Sequence, residues 1–88
     1  MTATHGQEAE RRYPITIAEW PSKNGELVRI SLSRFNKYFM IDIRTWWRAT
    51  NGNFMPGRRG LTLPVRHLPN LAAGFVRALE HAKLLGLV

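Results

Sequence analysis

Two alternating runs set back to back constrain this chain more than any other feature. In Leu27 to Phe35, LVRISLSRF, the residues Val28, Ile30 and Leu32 share one parity, and Arg29, Ser31, Ser33 and Phe35 the other. In Tyr38 to Trp47, YFMIDIRTWW, Phe39, Ile41 and Ile43 alternate with Tyr38, Met40, Asp42, Arg44 and Trp46. Successive side chains of a strand point to opposite faces, so each run reads as a strand with one apolar and one polar face. Only Asn36-Lys37 separates them, which suits a tight turn and therefore an antiparallel pair. Such a sheet needs cover on its apolar side alone, leaving a basic face studded with aromatics open.

The flanking segments extend this pattern. Ile15 to Trp20, ITIAEW, is a β-like run closed by Pro21 and SKNG, where Asn24-Gly25 is a favoured hairpin turn because both residues tolerate positive φ. A glycine-rich loop after Trp47 leads to Gly60 and a last strand that begins at LTL. After Pro64 and Pro69, Leu71, Phe75, Ala78, Leu79, Ala82 and Leu85 recur at helical spacing, with Asn70, Arg77, Glu80 and Lys83 opposite and Gly86 as a stop. The expected fold is α+β: a four-stranded antiparallel sheet followed by one C-terminal helix, with the helix lying across the apolar face. Leu84, Leu87 and Val88 exceed what one sheet contact requires, so a partner helix from a second copy is expected, with fraying of the helix end as the alternative. Residues 13–88 read as one domain, and Met1 to Arg12 as a disordered polar tail.

Charge narrows the function. The net charge is +7, and Lys23 to Arg66 holds nine Lys and Arg residues against only Glu26 and Asp42. Such a field favours polyanions, nucleic acid before an acidic membrane. There is no cysteine, so disulfides and thiolate metal sites are excluded. MTATHGQEAERR lacks the apolar stretch of a signal peptide, and LLGLV is too short to span a bilayer.

Catalytic constellations are weak. Gly52 to Arg59, GNFMPGRR, approaches a phosphate-binding loop, but Arg58 and Arg59 stand where that loop needs Lys and Ser/Thr, and a strand rather than a helix follows. His5, His67 and His81 are scattered, no carboxylates are paired, and Asp42 reads as a residue that steers Arg29 and Arg44. No catalytic residue, metal or cofactor is expected. Aromatics interleaved with cations carry more: Phe35, Tyr38, Trp46 and Trp47 stand beside Arg34, Lys37, Arg44 and Arg48. Cations can track phosphates while flat rings stack on unpaired bases. By parity with Ile41 and Ile43, Trp47 points inward, so a core or interface role is equally open for it.

The run IDIRTWW, followed by MPGRRGLTLP, resembles the transcriptional positive cofactor 4 family of single-stranded DNA-binding coactivators. Members carry an I-D-I-R-x-[YW]-[YW] strand, a P-G-[KR]-K-G-[IL]-[ST]-L segment and then a helix, and the likeness spans roughly Ile15 to Leu85. The resemblance implies a strongly curved sheet and a homodimer formed largely through the helix, whose paired sheets make a groove for single strands or melted duplex. It also implies base stacking by Phe35 and Trp47 and backbone contacts by Arg44, Arg58 and Arg59; a strand kinked near Thr45 would reconcile this with the parity of Trp47. Asn36, Tyr38 and Met55 stand where members often carry Lys, with Lys37 and Arg48 as partial replacements. The Ser-rich tail of animal members is absent, so a compact bacterial or phage form is expected.

The combined expectation is a non-enzymatic dimer that binds single-stranded DNA with little sequence preference, in transcription, replication or repair. Its binding residues would be Arg29, Arg34, Phe35, Lys37, Tyr38, Arg44, Trp46, Trp47, Arg48, Arg58 and Arg59, and its dimer contacts Phe75, Leu79, Leu84 and Leu87. Single-stranded RNA is an alternative ligand, and an aromatic face that docks an acidic protein is a rival of another class. Transcription or replication proteins are further possible partners, no membrane is expected, and the compartment would be cytoplasm or nucleoid in a bacterium and nucleus in a eukaryote.

Overall fold

The computed structural model describes residues 13–88; the tail assigned to residues 1–12 lies outside the described residues. Four strands, β1 (Ile15–Pro21), β2 (Leu27–Phe35), β3 (Tyr38–Arg48) and β4 (Phe54–Pro64), form an antiparallel meander in sequence order. A 3-10 turn (Val65–His67) then leads into a single helix, α1 (Leu68–Leu84).

Turn chemistry fixes the meander. Asn24 and Gly25 both take positive φ, 60° and 74°, and the Glu26 N–H donates to the Lys23 carbonyl at 3.1 Å. That geometry matches the right-handed twist of the flanking strands, which is why Asn-Gly suits it. Asn36 takes φ 57° and joins Phe35 to its partner Tyr38, so β2 and β3 pair without a break from Leu27–Trp46 to Phe35–Tyr38. Between β3 and β4, Gly52 at φ 90° donates to the Ala49 carbonyl, and the Asn51 side-chain oxygen accepts from the Asn53 N–H at 2.9 Å.

Sequence and structure part at β4. The last strand begins at Phe54 rather than at LTL, so Pro56 to Gly60 lies within the sheet. β4 is an edge strand, where a proline costs no ladder bond. The register changes from Arg44–Gly60 to Trp46–Pro56, so Thr45 faces a stretch of three residues, Gly57 to Arg59. This is an enlarged β-bulge, the feature that bends strands and re-aims side chains.

The helix also departs from expectation. It does not lie across the sheet's apolar face: α1 packs on the 3-10 turn that precedes it, and among the described residues no strand runs along it. An open groove of about 440 Å³, lined by Leu63, His67, Leu71 and Phe75, separates the end of β4 from the helix. Val28, Ile30, Leu32 and Ile43 are therefore only half-buried, and Ile41 is the one buried apolar residue among those described. The short 3-10 turn after Pro64 explains the departure, because it sends the chain away from β4 instead of back over it. The helix ends as the sequence leads one to expect: Gly86 takes φ 73°, its N–H donates to the Lys83 carbonyl, and the Leu87 N–H donates to that of Ala82. These are the paired bonds of a Schellman cap.

Candidate nucleic-acid interface

The eleven residues expected to bind do not form one patch. They fall into two groups at opposite ends of β3, whose nine steps from Tyr38 to Trp47 span about 30 Å at ~3.4 Å per residue.

The first group surrounds the β2–β3 hairpin. Phe35 and Tyr38 face each other across the last pair of the ladder and are 71% and 63% exposed. Lys37 is exposed at the turn. The Arg34 Nε donates to the Asn36 carbonyl at 3.0 Å, and its guanidinium lies 5.6 Å from the Phe39 ring centre.

The second group is built on the bulge. Cross-strand partners share a face, and on the polar face Arg44 is opposite both Arg29 and Gly60. Its guanidinium is spent inside the chain. Nε and Nη2 donate to Asp42, Nη2 also to the Thr62 hydroxyl at 3.0 Å, and Nη1 to the Gly57 carbonyl at 3.1 Å. The Thr62 hydroxyl in turn donates to Asp42 at 2.6 Å. Hydrogen bonding to the Asp42 carboxylate, against some desolvation, raises Arg44 above the ordinary arginine value. Arg44 thus staples β3 to the bulge of β4.

Two glycines make that staple possible. A Cβ at Gly60 would stand 2.7 Å from the Arg44 Cζ and 2.8 Å from the Ile43 carbonyl oxygen. At Gly57 it would stand 2.9 Å from the Thr45 carbonyl oxygen. The residues between, Arg58 and Arg59, are exposed, and their side chains make no ion pair among the described residues. The glycines hold the backbone against β3 while the two arginines stand clear.

The adjacent tryptophans differ. Trp46 lies on the polar face, half-buried, with the Arg29 guanidinium 4.1 Å above its ring. Glu19 holds Arg29 in place through a 2.8 Å ion pair, so Arg29 answers to Glu19 and not to Asp42. The Trp46 Nε1 is buried without a hydrogen-bond partner among the described residues. Trp47 lies on the other face opposite Met55 and is 47% exposed. Its parity is that of the apolar face, yet it stands at the end of the sheet that no helix covers, just past the bulge at Thr45. Arg48 follows, 5.8 Å from the Phe54 ring centre.

Trp20 and Arg66 lie outside the expected binding set but stand on the same surfaces. Trp20 is exposed and pairs with Val28, which pairs with Thr45, placing it on the face that carries Trp47. A second bulge at Ile17 shifts the parity of β1 and conceals this. Arg66, on the 3-10 turn, is exposed near the hairpin group. Phe75, Leu79, Leu84 and Leu87 are exposed on or just after α1. Among the described residues no group of three or more potential metal ligands occurs, and no helix is long and apolar enough to cross a membrane.

Comparison with known proteins places this geometry. The family model described as transcriptional coactivator p15 (PC4) matches residues 16–73. Among solved structures, a PC4 homolog from Burkholderia pseudomallei superposes with a TM-score of 0.67 at 25% identity, over 74% of this chain and 96% of that one. The bacteriophage T5 homolog of the eukaryotic transcription coactivator PC4, implicated in recombination-dependent DNA replication, superposes with a TM-score of 0.67 at 27% identity, over 86% of this chain and 88% of that one. No curated protein sequence matches the chain.

Proposed function

The chain belongs to the transcriptional coactivator p15 (PC4) family, and from that premise we propose that it is a non-enzymatic protein that holds single-stranded DNA with little sequence preference, as a homodimer. The observation that carries the reading is the bulge. It presents Arg58 and Arg59, exposed and unpaired among the described residues, one strand away from the exposed ring of Trp47. Single-stranded nucleic acid asks for that pairing, because cations follow the backbone while rings take unstacked bases at about 1–3 kcal/mol each. Phe35, Lys37 and Tyr38, with Arg34, supply a second contact point at the far end of β3, and Arg48 adds a cation beside Trp47. Arg44 acts as a positioning residue that sets the bulge, while Arg29 and Trp46 brace the polar face.

What the described residues leave bare supports a dimer. Phe75, Leu79, Leu84 and Leu87 are exposed among the described residues, and α1 does not cover the apolar side of the sheet. A second copy would cover both and bring two sheets together, which suits two antiparallel strands or a melted duplex. The phage homolog's link to recombination-dependent replication and the family's coactivator description point to replication or transcription as the process served. Replacing Arg58 and Arg59 together by Ala tests the assignment. Binding to a dT oligonucleotide should weaken, and the slope of log affinity against log salt should flatten by about 1.4, since each phosphate contact on a single strand contributes about 0.7. Unchanged affinity and slope would remove both arginines from the site.

A further inference from the structure

A cavity of about 540 Å³ opens on the polar face beside the β2–β3 hairpin, lined among others by Ser33, Phe35, Tyr38, Met40, Pro64 and Arg66. Its size falls in the range of about 300–1,000 Å³ typical of small-ligand sites. We propose that this cavity takes one unstacked nucleobase of the bound strand, with Arg66 holding the adjoining phosphate and the Ser33 hydroxyl meeting the base edge. The inference rests on the single-stranded reading above and assigns three residues, Arg66, Ser33 and Met40, that lie outside the expected binding set.

The chemistry of the lining favours that occupant. Met40 and Pro64, opposite each other in the β3–β4 ladder, form an apolar floor, and Ser33 pairs with Met40 across β2–β3. Phe35 and Tyr38 are largely exposed, so their ring faces are open to a flat ligand. The Ser33 hydroxyl makes no hydrogen bond among the described residues, and a hydroxyl can donate or accept, so it suits any base. Arg66 is exposed, makes no ion pair among the described residues, and no carboxylate lines the cavity. An aromatic-flanked cavity with one cation at its rim and no negative charge matches a nucleotide: the cation suits a phosphate, and the two exposed rings favour a flat base beside it.

The test uses the full chain, a dT oligonucleotide, and an oligonucleotide of equal length made of abasic sugar-phosphate units. Arg66→Ala should weaken binding to both probes and lower the salt slope by about 0.7, and Arg66→Lys should restore the slope. Tyr38→Ala should weaken dT binding about fivefold or more while leaving the abasic probe unchanged, since only the base is stacked. Thermal melts should match the parent, because both side chains are exposed. Equal affinities for Arg66→Ala and the parent, or equal losses of both probes in Tyr38→Ala, would overturn the cavity assignment alone. A parent protein that binds neither probe would overturn the single-stranded reading itself.

Discussion

Arg44 and Arg58 carry the same charge fourteen residues apart, yet they do different work. The Arg44 fork is filled by Asp42, Thr62 and the Gly57 carbonyl, whereas Arg58 faces solvent. Arg44→Lys should therefore act mainly on the fold, lowering stability by about 1–3 kcal/mol in urea unfolding, because a lysine cannot reach three partners from one head group. The pH dependence follows from the raised value of Arg44. A cation whose proton is held more tightly in the folded state stabilises fully below its unfolded value and loses that contribution only as pH rises through the higher, folded one. Unfolding between pH 6 and 9 should show no step from this group. The neighbouring tryptophans separate in the same way: Trp47→Ala should cost about 1–3 kcal/mol of binding to dT with little change in melting, and Trp46→Ala the reverse. Parity alone made the Asp42–Arg44 pair legible, since residues two apart share a face. It could not show that Glu19 holds Arg29, because that contact depends on the register of β1, which its bulge obscures.

At the scale of elements, β2 and β3 were readable because alternation and a two-residue turn leave one way to pair them. β4 was readable only from Leu61 onward. Pro56, Gly57 and Gly60 are residues that usually end strands, and here they form a bulge within an edge strand that stays paired with β3 before and after it. The resemblance to P-G-[KR]-K-G segments singles out Arg58 and Arg59 as candidates, and the structure supplies the reason for the glycines around them. Gly60→Ala should displace the Arg44 guanidinium or the bulge, costing about 1–3 kcal/mol of stability and weakening binding as Arg58 and Arg59 lose their orientation. Equal stability of this variant and the parent would argue that the close approach at Gly60 is not needed. The helix was legible in its bounds and cap, but not in its position, which depends on the three-residue turn after Pro64.

For the whole molecule, the basic charge and the absence of a covering layer belong together. A chain with a single buried apolar residue among those described cannot draw much stability from its own interior. The exposed stripe on α1, with Leu84 at 84%, is the surface proposed to meet a second copy, and the surplus leucines of the sequence raise the same expectation. Leu79→Asp should weaken the dimer about 100-fold or more, as a charge would enter the contact, and sedimentation should then show monomer together with weaker strand binding. A Leu79→Asp protein that stays dimeric would move the contact elsewhere. The central claim is that the rings and cations of this sheet serve unpaired strands. Tryptophan fluorescence titrated with a dT oligonucleotide, its RNA counterpart and a duplex of equal length, each at two salt concentrations, measures it directly. The account predicts quenching and tight, salt-sensitive binding by the single DNA strand, with the duplex well behind; tight duplex binding beside weak single-strand binding would contradict it.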